Sequence, residues 1–351
     1  MISHHPQNER LKHAYINRLR EARGMSEASI DQFAKALDRF ENYTRHRDFK
    51  LFHIDQAKGF KQHLASQRNE RTGEPLSKAT IYSTLTALKA FFMWLAEQPG
   101  YKSRISYGDT EYFNLNMKDT RIAKAAREPR VPTLEQIHHI LRSMPDTTEI
   151  ELRDRSLIAF TILTGARDGA IASLKLKHVD LDRNLLEQDA REVRTKASKS
   201  FPTFFFPVGG EVRAIVADWV TYLRTEKLFG FDDPLFPASL VRVGPEGQFQ
   251  ADGITRRQWS NASPIRTIFK EAFTLAGLPY FNPHSFRKTL AQLGQKTCRD
   301  IETMKAWSQN LGHEDLMTTF TSYGTLSRSR QADLMESFPS LCASRLSQHG
   351  L

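Results

Sequence analysis

The chain has 351 residues, 40% of them hydrophobic and 26% charged. That is the length of roughly two ordinary domains and the balance of a folded globular protein, which excludes a disulfide-knotted peptide and a disordered or fibrous chain. Lys and Arg number 50 against 40 Asp and Glu, a net charge of +10 that favours polyanionic partners.

Residues 1–130 hold 23 basic and 15 acidic side chains, and the remainder 27 and 25, so the N-terminal part is the expected general DNA clamp, with a basic surface kept only for solubility as the plainer alternative. No window approaches the ~18 consecutive apolar residues of a membrane span, and Met1 to Arg20 lacks the apolar core of a secretion signal. Cys298 and Cys342 are too few for a disulfide framework or a four-ligand zinc site. The chain is therefore expected in the cytosol or nucleoid, with no membrane partner and with two buried or idle thiols.

In chain order, Met1 to Arg23 reads as a frayed or helical lead-in. From Ala28 to Arg47 the residues Ile30, Phe33, Leu37, Phe40 and Tyr43 recur at the spacing of one helical face. Asp55 to Gln67 reads as a shorter helix. Ser77 is a cap for a helix carrying Ile81, Leu85, Leu88, Phe92 and Leu95, which Pro99-Gly100 ends. Tyr101 to Arg130 has weak periodicity, carries Lys118, Arg121, Lys124, Arg127 and Arg130, and closes on a Pro-containing stretch, so it reads as a basic linker.

Beyond the linker, Thr133 and Gln136 have capping-box spacing. Leu157 to Leu163 reads as a dry central helix stopping at Thr164-Gly165. Val193 to Val208 reads as a hairpin with a basic turn and a Phe-rich second strand, and Val212 to Leu223 returns to helical spacing. Ala238 to Asn261 reads as a loop-like insertion with three glycines. The second domain is thus mostly helical with one small sheet.

There is no Gly-x-x-x-x-Gly-Lys loop, Gly-x-Gly-x-x-Gly, His-Glu-x-x-His or Gly-x-Ser-x-Gly, which removes support for nucleotide-driven motors, dinucleotide enzymes, zincins and serine hydrolases. What remains is a set of strong hydrogen-bond donors at element ends. Asn282-Pro283 is a cap and first-turn pair, placing His284 and Arg287 on one face where backbone dipoles favour a phosphate; a solvated helix start is the plainer alternative. Arg167 follows the Thr164-Gly165 break, to cap carbonyls or to face a cleft. Lys196 and Lys199 lie on the hairpin turn, whose plainer reading is a solvated edge. His313 after Gly312 has a structural alternative, and Tyr323 by itself is an ordinary helix-end tyrosine.

Taken in order, Arg167, Lys196, His284-Ser285-Phe286-Arg287, Leu311-Gly312-His313 and Tyr323 resemble the active-site series of the tyrosine recombinases, the phage-integrase family. Thr164-Gly165-Ala166-Arg167 and Thr318-Thr319 are similar to flanking signatures of that family. The resemblance spans nearly the whole chain. It implies a mainly α fold with a small antiparallel β-sheet: a helical core-binding domain over residues 1–112, a basic linker over 113–131, and a mixed α/β catalytic domain over 132–325 with a three-stranded sheet. Residues 326–351 would form a C-terminal tail, packed against a neighbouring subunit or folded onto its own domain, with Phe338 and Leu341 as its anchors.

The resemblance further implies a site-specific recombinase or integrase working without metal, ATP or other cofactor. A phosphodiester under attack gains negative charge that two Arg forks, Arg167 and Arg287, would neutralise. Tyr323 would attack once its phenol proton is lost or its phenolate stabilised, aided by the arginines and His284. Lys196 would protonate the departing 5′ oxygen, with Lys199 in reserve, and His313 would hydrogen-bond the phosphate.

The product would be a 3′-phosphotyrosyl intermediate, formed in a tetramer holding two specific double-stranded DNA sites, with an accessory DNA-bending protein as a further partner. Lys61, Arg68, Lys89, Arg130 and Lys199 are the expected phosphate contacts. Two positions depart from the family pattern: the place three after Arg167, often acidic, is Ala170, and ten residues rather than nine separate His313 from Tyr323. The competing expectations are a type IB topoisomerase-like enzyme and a DNA-binding accessory protein that has lost catalysis.

Overall fold

The computed structural model describes residues 4–69, 72–125, 130–244, 247–313 and 335–336. The chain divides into two compact units whose boundary falls between Ala125 and Ala126.

The first unit is helical: α1 (Pro6–Asn17), α2 (Glu27–Thr44), α3 (Ile54–Ser66), α4 (Lys78–Ala96), a short α5 (Tyr107–Thr110) and α6 (Met117–Lys124). Ser77 caps α4 as its residue type predicts, its Oγ accepting the Thr80 N–H at 3.1 Å. Ile81, Leu85, Leu88, Phe92 and Leu95 are all buried. Although α4 is long and apolar enough by length and composition to cross a membrane, these side chains sit at the centre of the unit's core. Phe40, Phe52, Phe60, Phe92 and Phe113 pack there edge-on, tilted or stacked, with ring centroids 4.3 to 5.8 Å apart in the close pairs. Such pairs contribute about 0.5–1.5 kcal/mol each beyond burial.

The helical unit runs further than the periodicity suggests. Phe113 is buried in its core, and residues 117–124, assigned to the linker, form α6. That helix buries no side chain. It is held instead by an Asn116 cap on the Asp119 N–H at 2.7 Å, a Lys78–Asp119 pair at 3.1 Å and Lys124 over the Tyr82 ring, none of which leaves an apolar stripe to read.

The second unit is built around α8 (Glu149–Thr164), whose stretch from Leu157 to Leu163 is entirely buried. Before it comes α7 (Leu134–Ser143), where both bonds of the Thr133/Gln136 capping box are made, at 2.9 and 3.2 Å. After it come α9 (Asp168–Ile171) and an antiparallel sheet of β1 (Val179–Asp180), β2 (Leu185–Gln188) and β3 (Phe201–Phe204), in that order. There follow α10 (Gly210–Thr225), a second antiparallel pair β4 (Ser239–Val243) and β5 (Phe249–Ile254), then α11 (Ser263–Leu275), α12 (Pro283–Thr297) and α13 (Ile301–Asn310).

Two expectations are corrected here. The partner of the Phe-rich strand is Leu185–Gln188 rather than a strand from Val193. Val193 is buried, but it closes a tight turn, its N–H donating to the Asp189 carbonyl at 2.7 Å. The insertion from Ala238 is a β-hairpin rather than a loop. Gly244 and Gly247, the latter at φ +75°, form its turn, and the exposure of Val241, Val243 and Phe249 removes the burial contrast that marks a strand in sequence. Cys298 is half-buried. The tail at 326–351 and Cys342 fall outside the described residues apart from Met335 and Glu336.

Candidate active site

Three chain breaks build the site. The first is the end of α8. Thr164 turns its hydroxyl back onto the Phe160 carbonyl at 2.8 Å, and Gly165 leaves the helix at φ +60°. A β-carbon at Gly165 would stand 2.9 Å from Leu290 Cδ1 and 3.1 Å from Leu311 Cδ2, so the position needs glycine for space as well as for backbone angle. Arg167 follows in extended conformation, and its carbonyl accepts from the Ile171 N–H as α9 begins.

The second break is the start of α12, where Asn282 Oδ1 accepts the Ser285 N–H at 3.1 Å and Pro283 occupies the first turn. Phe286 drops into the core and His284 stays exposed. Arg287, one turn on, is buried. The third break is the end of α13. There Gly312 at φ +67° brings the backbone against Phe201, and the His313 N–H returns to the Ser308 carbonyl at 3.2 Å. Asn310 fixes this end to β3, receiving the Phe204 N–H at 2.7 Å and donating to the Phe204 carbonyl at 2.8 Å.

Arg287 joins all three. Its Nη1 donates to the Gly165 carbonyl and its Nη2 to the Leu311 carbonyl. Burying a guanidinium is costly unless its donors are met, and here two carbonyls left over at helix ends meet them. The Arg167 and His313 segments are therefore held against α12 by one side chain.

The site's charge is concentrated and positive. Burial lowers the affinity of the Arg167 guanidinium for its proton. His284, although exposed at the surface, is held below the ordinary histidine range by partial desolvation of its ring and then by Arg287, Lys288 and Arg167. His313 is pushed down to about 4 by burial, Arg287, Arg167 and His284. Both imidazoles are neutral at pH 7, and both sit in a field that an anion would relieve.

Of the residues singled out from sequence, Arg167, His284, Arg287 and His313 come together. Lys196 is exposed at the head of a short turn, Lys196–Ser198. Lys199, three residues on, lines a cleft of about 660 Å³ with Phe201, Asn310, Gly312 and His313. Tyr323 lies outside the described residues. Ala170, where the family pattern is often acidic, is buried among apolar side chains of the core.

In the helical unit, Lys61 and Lys89 converge on one residue, donating to the Asn114 carbonyl and to Asn114 Oδ1, each at 3.1 Å. Arg68 donates to the Gly73 carbonyl at 2.9 Å beside a polar hollow shared with Arg39, Arg45 and His63. Arg130 is exposed.

One element of the site escaped the sequence reading. Arg266, in the first turn of α11, grips Asp168 with Nε and Nη2, each 2.9 Å from Oδ2. A lone arginine separated from its partner by 98 positions carries no local signal.

Comparison with known proteins gives a consistent result. The family model described as the phage integrase family matches residues 131–330, and the one described as the phage integrase N-terminal SAM-like domain matches residues 13–99. The tyrosine recombinase XerC of Lactobacillus delbrueckii subsp. bulgaricus is 23% identical over 249 residues, covering 71% of this chain and 72% of that protein. The tyrosine recombinase XerD of Neisseria meningitidis serogroup A is 27% identical over 241 residues, covering 67% and 68%. Among solved structures, a lambda integrase dimer bound to a COC′ core site is similar at a TM-score of 0.61 and 14% identity, covering 91% of this chain and 96% of that one. The XerH site-specific recombinase bound to difH substrate, in a pre-cleavage complex, is similar at 0.57 and 17%, covering 93% and 84%. The fold they share is a helical N-terminal domain followed by a mainly helical catalytic domain with small antiparallel sheets.

Proposed function

Because the chain belongs to the phage integrase family, we propose that its activity, site-specific DNA recombination, proceeds through a covalent 3′-phosphotyrosyl intermediate carried by Tyr323. The observation that supports this most directly is that Arg287 ties the Arg167 and His313 segments together through the Gly165 and Leu311 carbonyls, while Arg287, Arg167 and His284 all act electrostatically on His313. The topoisomerase-like and inactive-module readings are not favoured, since the similar proteins are recombinases and the donor set is intact.

In this reading the scissile phosphate sits over Arg167 and the first turn of α12. As Tyr323 attacks, charge builds on the non-bridging oxygens, and the Arg167 fork and the His313 imidazole donate to them. Arg287 acts chiefly by holding Arg167 and His313 at fixed separation, its buried charge adding to the field felt by the phosphate. His284, neutral at pH 7 by its lowered proton affinity, is able to accept the phenol proton. A lysine of the β2–β3 connection protonates the departing 5′ oxygen: Lys196 by the resemblance, with Lys199 lining the His313 cleft. The phosphotyrosyl bond keeps the energy of the broken one, so a second 5′ hydroxyl reverses the step and joins new strands.

The solved relatives include DNA-bound dimers. By extension this chain acts on double-stranded DNA and self-associates, with a tetramer on two sites as the working assembly and an accessory DNA-bending protein as an optional partner. That substrate keeps it in the cytoplasm, at the nucleoid. The helical unit supplies Lys61, Arg68 and Lys89, and the second unit Arg130 and Lys199, as phosphate contacts. A plasmid carrying two copies of the recognised site tests the reading: strand exchange between the copies supports it, whereas relaxation of plasmids with or without the site would indicate a topoisomerase.

A further inference from the structure

Arg167 is half-buried, and among the described residues its guanidinium has no hydrogen-bond or ion-pair partner. This is unexpected on chain geometry alone, because the next residue is an aspartate. A carboxylate and a guanidinium on adjacent residues at a helix start can reach one another by side-chain rotation, and an Arg–carboxylate fork is among the stronger pairs available.

Asp168 is turned elsewhere. Its Oδ1 accepts the Gly169 N–H at 2.9 Å, and its Oδ2 takes both Nε and Nη2 of Arg266 at 2.9 Å. Arg167 and Asp168 nevertheless both act electrostatically on the His284 imidazole, with opposite sign. No carboxylate raises the proton affinity of Arg167, which burial alone shifts. The Asp168 side chain is 26% exposed and that of Arg266 59%, so the carboxylate is the more buried half of the pair.

We propose that Arg266 is a positioning residue that holds the Asp168 carboxylate away from Arg167, leaving the Arg167 guanidinium unneutralised for the scissile phosphate. Without Arg266, Asp168 becomes a competitor in place: it pairs with Arg167, and an incoming phosphate has to displace it. The inference rests on the recombinase reading for the identity of the anion, and on geometry for the rest.

The test is a rescue. Arg266→Ala, the double variant Asp168→Asn/Arg266→Ala and wild type are compared for covalent adduct formation at saturating DNA, with DNA affinity and thermal melting measured alongside. Arg266→Ala should slow adduct formation about tenfold, equivalent to ~1.4 kcal/mol, and the double variant should return to within about threefold of wild type. Arg266→Lys, which keeps the charge but not the fork, should fall between.

A double variant as slow as Arg266→Ala, with affinity lowered equally in both, would overturn the proposal and make Arg266 a direct phosphate ligand. An Arg266→Ala protein that reacts like wild type would overturn it as well. Absence of adduct from wild type would remove the recombinase reading itself, and this inference with it.

Discussion

Replacing Arg287 with lysine separates two roles that sequence alone merges. As a phosphate fork only, Arg287 could be changed at the expense of chemistry while the fold stayed intact. In the structure it is buried and bonded to the Gly165 and Leu311 carbonyls. A lysine ammonium is a point donor on a flexible stem and cannot span both. At least one charge-assisted bond is lost, at about 1.5–3 kcal/mol, and a buried carbonyl is left unmet. For a unit of this size each kcal/mol moves the melting temperature by roughly 2–4 °C, so Arg287→Lys should melt roughly 3–12 °C below wild type.

Adduct formation should fall together with stability, because the Arg167 and His313 segments lose their common tie. Removing one preorganised donor at such a site typically costs about a hundredfold or more in rate. Differential scanning calorimetry and single-turnover cleavage of labelled DNA read the two quantities independently. A variant that melted within about 1 °C of wild type while losing cleavage would refute the structural role assigned to Arg287.

Other outcomes follow from the same geometry. Gly165→Ala forces a β-carbon against Leu290 and Leu311 at a left-handed backbone angle and should destabilise the second unit by about 2 kcal/mol, measured by urea unfolding. Because His313 titrates near 4 when folded and near 6.5 when unfolded, only the unfolded chain takes up its proton as pH falls below 6.5. Stability should therefore drop between pH 6.5 and 4, by on the order of 1–2 kcal/mol at pH 5, and His313→Gln should flatten that dependence in urea midpoints. Lys61 and Lys89 bond to neutral oxygens of Asn114 and have no carboxylate partner among the described residues. The Lys61→Met/Lys89→Met protein should bind DNA with a log-affinity salt slope shallower by about 2, and an unchanged slope would take both residues off the interface.

The readable features were those written within a few positions of one another. The Thr133/Gln136 box, the Ser77 and Asn282 caps, the dry run from Leu157 and the glycine break after Thr164 are all made by neighbours in sequence. The gathering of Arg167, His284, Arg287 and His313 was legible through the resemblance to a known series, because their order along the chain survives folding. The hairpin Ser239–Ile254 was not legible, since Val241, Val243 and Phe249 are exposed and give no alternation between buried and open positions. Residues 117–124 hid a helix for a related reason: polar clamps hold it in place of an apolar face.

Arg287 as a tie, and Arg266 as the keeper of Asp168, are contacts across 122 and 98 positions that no local pattern encodes. Position 170 is instructive in the opposite direction. Ala170 is a departure from the family pattern in sequence, and in space it is a core residue packed among apolar side chains, where an ionised carboxylate would be strongly disfavoured.

Tyrosine-based strand cleavage is tested most simply by covalent capture. Wild type and Tyr323→Phe are incubated in EDTA with fragmented DNA from the source of the gene, denatured, and assayed for protein attached to DNA 3′ ends. Wild type should give an EDTA-resistant adduct whose attached ends share one sequence, and Tyr323→Phe should give none although it keeps DNA affinity within about tenfold. An adduct that persists in Tyr323→Phe, or one that forms only with added metal, would contradict metal-free tyrosine cleavage.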